Sequence, residues 1–225
     1  MFKLLKIVII LFIFTAANSW GAATTYTWDG GGVAGVWEDP DNWDIGVGYP
    51  NSDLSGTDTA IIIAGVTTAP VANTTLASLS IAATSTVSPA AGVGLTVTGL
   101  VTCDGTLTAS AAGITLGGGI TGGGTFNAST GTTTINVGID INPLTFFHNS
   151  GTVSINGDTW LYQSGYQFYD VNITAGTLYT NDQALIIIDN DLIGAGNLTA
   201  GTSQINIGRH MTFTGTFTAN TSTVV

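Results

Sequence analysis

Asp189 and Asp191 are separated by one residue, and on an extended strand their carboxylates would share a face roughly 7 Å apart. At that separation one carboxyl can protonate a glycosidic oxygen while the other activates water, so the pair is the chain's best candidate for glycoside hydrolysis. The competing reading is a solvated turn after the apolar run Leu185-Ile186-Ile187-Ile188. A uronate lyase would also need a basic group, and only Arg209, His148 and His210 are available. Both histidines stand alone in their local sequence, which suits coil corners better than a catalytic set.

Asp39, Asp41 and Asp44 sit with Pro40 and Asn42 in a short acidic stretch, and oxygen ligands at alternating positions are how loops gather calcium. The stretch lacks the glycine and bidentate glutamate of an EF-hand loop, and a turn whose carboxylates cap backbone amides explains it equally directly. No other cofactor is implied. Trp160, Tyr162, Tyr166, Phe168 and Tyr169 form the densest aromatic stretch outside the N-terminal region. Trp160, Tyr162 and Tyr166 are candidates for stacking on sugar rings, with packing into the core as the alternative. Thr-x-Thr begins at Thr96, Thr106, Thr132, Thr212 and Thr216. A flat ice-binding face needs one such pair per coil in register; spacings this irregular are better explained by threonine as an outward strand former.

The elements that must hold these residues are strands. After the N-terminus the chain has one glutamate and no lysine, while glycine, threonine and valine recur throughout, a composition that favours strands and turns over helices. Leu95-Thr96-Val97, Val153-Ser154-Ile155, Val171-Asn172-Ile173 and Ile205-Asn206-Ile207 alternate apolar with polar, the period of a half-buried strand. Gly-Thr recurs at Gly105, Gly131, Gly151, Gly176 and Gly201, in steps of 26, 20, 25 and 25 residues. That interval is one coil of a β-solenoid, whose coils bury their apolar faces only by stacking. The expected fold is all-β: a right-handed parallel β-helix of about seven coils over residues 59–225, extending on the order of 35 Å at about 4.8 Å per coil. Residues 24–58, with Trp28, Trp37, Trp43 and seven acids, read as an N-terminal Trp-rich cap over the first strand edge. The chain stops inside an expected strand, so the repeats are expected to continue in a longer polypeptide.

Composition bounds the partners. Residues 1–23 read as a secretory signal peptide: Lys3 and Lys6, then the apolar run Ile7 to Phe14, then small residues with cleavage after Ser19 or Ala23. The apolar run is too short to span a bilayer, and no later segment is expected to cross one. The whole chain carries a formal charge of −11, and loss of the leader leaves Arg209 as the only Lys or Arg against fourteen acids. Nucleic acid is excluded as a partner on this ground, since phosphate contacts need clustered cations. Cys103 is the single cysteine, so no intrachain disulfide staples the exported chain. Stacked coils must do that work. Lack of disulfides and of lysine points to a bacterial protein, secreted or associated with the cell surface or outer membrane.

Tyr26-Thr27-Trp28-Asp29-Gly30-Gly31, Val36-Trp37-Glu38-Asp39-Pro40-Asp41-Asn42-Trp43, Tyr49-Pro50 and Asp58-Thr59-Ala60-Ile61-Ile62 together resemble the opening of large bacterial secreted β-helix proteins of the autotransporter and adhesin type. Phe147-His148-Asn149-Ser150-Gly151-Thr152-Val153 and Phe168-Tyr169-Asp170-Val171-Asn172-Ile173 are similar to repeats of giant bacterial surface proteins. The resemblance implies a fold and a location: a non-enzymatic structural or adhesive module, the N-terminal part of a larger passenger, meeting a host or environmental surface or a glycan. A carbohydrate-active enzyme and a glycan-binding module are the alternatives.

Overall fold

Apolar residues at alternate positions of short strands need a partner on one side only, and the chain meets this by winding. The computed structural model describes residues 22–137, 144–162, 165–182 and 184–225; the leader lies outside them apart from Ala22 and Ala23. All paired strands in it are parallel, and they stack as a β-solenoid of about eight turns, one more than expected. Each full turn supplies a strand to each of three faces.

The first face is one unbroken eight-stranded sheet: Thr74–Leu76, Leu95–Val97, Ile114–Leu116, Thr132–Ile135, Thr152–Ile155, Asp170–Ile173, Asp191–Gly194 and His210–Phe213. The second face is built from two successive sheets. Thr25–Thr27, Thr59–Ile62, Ser78–Ile81, Val101–Cys103 and Ile120–Thr121 make the lower one, and Thr159–Trp160, Thr177–Tyr179, Asn197–Thr199 and Phe217–Thr218 the upper. The third face runs from Thr67–Thr68 through Thr86–Val87, Thr106–Thr108, Thr125–Asn127 and Thr145–Phe147. It then continues as Tyr166–Phe168, Leu185–Ile188, Gln204–Ile207 and Thr223–Val224.

Register fixes what lies inside. Thr74, Leu95, Ile114, Thr133, Val153, Val171, Leu192 and Met211 form one column of the first face, so successive coils are 18 to 21 residues long. Beside it run Leu76, Val97, Leu116, Ile135, Ile155 and Ile173, all buried. Phe126, Phe146 and Phe168 line the inside of the third face as a tilted stack with centroids 5.8 and 5.5 Å apart. Each such aliphatic or aromatic side chain contributes roughly 1.5–3 kcal/mol by leaving water, and the columns merge into a single core.

The Gly-Thr beat needs correction as a measure of the coil. The words at Gly131 and Gly151 do lie one above the other, with Thr132 on Thr152 and Ile135 on Ile155. The matching word at Gly201 instead leads into Gln204–Ile207 on the third face, stacked on Leu185–Ile188. Gly105 precedes a third-face strand and Gly176 a second-face strand. The dipeptide marks corners, whichever face follows. At all five glycines a Cβ would run into atoms of the coil beneath, including the Ser129 carbonyl under Gly151 and the Asp182 carboxylate beside Gly201. The same local demand therefore writes the same word at different edges of the prism.

Residues before Thr59 close the first strand edges. Thr25–Thr27 pairs with Thr59–Ile62, and Val36 bridges Ala69 beside the first strand of the third face. Trp28, Trp37 and Trp43 are buried and meet edge to face, with Trp43 at 5.1 Å from Trp28 and 4.9 Å from Trp37. The Trp43 indole donates to the Trp37 carbonyl at 2.8 Å, so its one polar group is satisfied in the interior. Asn42, fully buried, donates to the carbonyls of Val33 and Val36 and accepts from the Gly32 N–H.

Candidate functional site

Period-two alternation puts Thr159 and Leu161 into the core and turns Trp160 and Tyr162 outward on the second face. Trp160 stands directly below Tyr179 in the parallel ladder, and the rings stack flat, 5.1 Å between centroids and 5° between planes. Thr199 and Thr218 continue the rank above them. On the other side of Trp160 lies an open groove of about 280 Å³ lined by Leu100, Ile120, Val137, Trp160 and Tyr162. Beyond Tyr179 a second groove of about 200 Å³ carries Asn181, Asp182 and Asn220. Apolar ring faces next to amide and carboxylate groups are what a sugar ring needs from a protein surface. Tyr166 is not part of this platform. It belongs to Tyr166–Phe168 on the third face, where it is buried and stacks with Phe168 at 5.7 Å.

Asp189 and Asp191 lie at a corner rather than on one extended strand: Asp189 and Asn190 form the bend, and Asp191 opens the next first-face strand. Each carboxylate meets a histidine from a different coil. His148 approaches Asp189 at 3.3 Å, and His210 approaches Asp191 at 2.9 Å. The Ser150 N–H donates to His148 Nδ1 at 2.9 Å, which leaves Nε2 to carry the proton toward Asp189. Gln167 donates to both oxygens of Asp189, at 3.1 and 2.9 Å. Arg209 donates to the side chain of Asn190 at 3.2 Å, and Asn190 in turn donates to Asp170 at 2.7 Å. The tripeptide 189–191 thus collects both histidines and the sole arginine of the chain.

Sequence reasoning missed this convergence because His148 is two coils away from Asp189. The signal was present in one of the pairs: Asp191 and His210 are 19 residues apart, one coil length. The arrangement joins coils across the stack. Its carboxylates are each held by donors on either side of a corner. A recess of about 370 Å³ beside it is lined by Phe146, Phe147, His148, Asn149, Tyr166 and Gln167.

Asp39 and Asp44 are used as backbone caps. Asp39 accepts from the N–H groups of Asp41 and Val33, and Asp44 accepts from Thr27. Among the described residues, no group of three or more His, Cys, Asp or Glu side chains is placed to hold a metal ion. Cys103 is buried, and burial pushes its thiol up to about 11, which makes it an inert core residue rather than a nucleophile. Among the described residues no helix is long and apolar enough to cross a membrane.

Fold and surface together define a parallel β-solenoid, a β-helix protein with an aromatic cluster at its N-terminal end. Compared with known proteins, the chain matches no family model, no curated protein and no solved structure.

Proposed function

We propose that this chain is a non-enzymatic structural and adhesive module of the autotransporter and adhesin type, exported by its leader to the bacterial surface or medium. The observation that carries the reading is the register of the first face, where eight strands stack without interruption and repeat the same outward positions along the rod. Such a surface binds by many weak contacts whose effects add when they engage together. The test is adhesion of beads coated with the full chain to cell or matrix surfaces, with single outward substitutions spread along the stack. Graded losses support the proposal; abolition by one substitution, or turnover of a polysaccharide that disappears in Asp189→Asn, contradicts it.

A second reading is favoured by the Trp160–Tyr179 stack and the grooves on either side of it: the module holds a glycan on its second face. Titration of oligosaccharides against the full chain, followed by tryptophan fluorescence, tests it. Trp160 is partly exposed while Trp28, Trp37 and Trp43 are buried, so a change that survives in Trp160→Phe would argue against this site.

A further inference from the structure

Asn156-Gly157 is the one Asn-Gly step in the chain, and it lies in the corner between Thr152–Ile155 on the first face and Thr159–Trp160 on the second. The stacking itself requires the glycine, because a Cβ at 157 would run into the Asn136 carbonyl of the coil beneath. The fold therefore denies Asn156 the bulky neighbour that would keep the following backbone nitrogen away from its side chain. Asn156 is exposed. Two long hydrogen bonds hold its side chain: Nδ2 donates to Asn136 Oδ1 at 3.2 Å, and Oδ1 accepts from the Thr174 hydroxyl at 3.2 Å. That hydroxyl has a single proton to give, and the Ile155 carbonyl, at 2.8 Å, is its nearer acceptor. The grip on the Asn156 amide is loose.

A backbone nitrogen closes a five-membered ring on the preceding asparagine most readily when its N–H is not committed to another acceptor. Among the described residues the Gly157 N–H donates to no protein group. Steps of comparable chemistry are closed off. Four asparagines of the described residues precede a serine or threonine, and in each step the N–H is taken: Ser52 donates to the Tyr49 carbonyl, Thr74 to that of Gly94, Ser150 to His148 Nδ1 and Thr221 to the Gly201 carbonyl. Asp29-Gly30 and Asp104-Gly105 could form the same ring from a carboxyl group. There the Gly30 N–H donates to the Asn42 carbonyl and the Gly105 N–H to that of Ile81. Asn156 thus stands apart from these steps both by its neighbour and by the hydrogen bonding of that neighbour.

We propose that Asn156 is a self-modification site, at which the chain deamidates in its folded state. The Gly157 nitrogen gives its proton to solvent and bonds to Asn156 Cγ; the bond from Cγ to the side-chain nitrogen breaks, ammonia leaves carrying a proton from solvent, and a succinimide remains. Water then opens one of the two ring carbonyls, giving aspartate or, with the main chain rerouted through the side chain, isoaspartate. Nothing is oxidised or reduced. Either product sets a new carboxylate next to Asp158, and isoaspartate lengthens the backbone of the corner by one methylene. This goes beyond the adhesive reading and does not rest on it. The test incubates the folded full chain and a synthetic peptide of residues 152–160 side by side in mildly alkaline buffer, read by mass spectrometry of proteolytic fragments and by enzymatic methylation of isoaspartate. In the folded chain the fragment holding Asn156 should gain one mass unit at a rate within tenfold of the peptide's, with isoaspartate accumulating there. Fragments holding Asn73 and Asn149 should stay unchanged. Asn156→Gln, checked for an unchanged far-ultraviolet circular dichroism spectrum, should abolish the gain. Conversion of Asn156 more than tenfold slower in the folded chain than in the peptide would overturn the proposal. So would an equally fast gain at Asn73 or Asn149, or a gain that persists in the same fragment of Asn156→Gln.

Discussion

The indole of Trp160 lies flat on the ring of Tyr179, one coil above it, with planes 5° from parallel. The pair is turned away from the core, so it supports the stack at its surface without being needed to close it. Trp160→Ala should leave the circular dichroism spectrum unchanged and weaken binding of any oligosaccharide that docks on the second face by about tenfold, or about 1.4 kcal/mol. Calorimetric titration of the two proteins gives the comparison, and equal affinities would remove the platform from the account.

Gly151 has no room for a side chain, because a Cβ there would collide with the Ser129 carbonyl of the coil beneath. Gly151→Ala forces the two coils apart at a corner and should cost about 1–3 kcal/mol. Urea unfolding midpoints measure this.

Ile135 is fully buried between Leu116 and Ile155 in the first-face column, while Thr115 is outward one strand below. Ile135→Ala should destabilise the chain by about 2–5 kcal/mol, and Thr115→Ala by no more than about 0.5 kcal/mol. Reversal of that order in denaturant titrations would mean that the register is wrong.

Cys103 titrates above its ordinary value because burial disfavours the thiolate. The unfolded chain therefore loses this proton first as pH rises. Stability conferred by the protonated thiol is complete below pH 9 and declines between about 9 and 11. Thermal melts across that window should show a decline that Cys103→Ala reduces. A thiol reagent at neutral pH should label the native chain far more slowly than the denatured one.

Much of this architecture could be read from residue order alone. Alternation in Val153-Ser154-Ile155 gives the strand and its inward side directly, and Trp28, Trp37 and Trp43 announce a buried cluster before the first coil. The coil length could not be read from Gly-Thr, because Gly151 and Gly201 answer the same steric demand at corners leading to different faces. Tyr166 shows the same limit. Alternation is local and says which residues share a side, but Tyr162 and Tyr166 flank a change of face. The meeting of His148 with Asp189 depends on register between coils of unequal length. Only the stacked backbone reveals it.

The central claim is tested most directly by location. Antibody raised against residues 60–225 would be applied to intact producing cells and, separately, to fractionated cells and medium. Labelling of intact cells, or recovery of the protein from the medium, is the result predicted for an exported surface module. Retention inside cells, with labelling only after lysis, would contradict it.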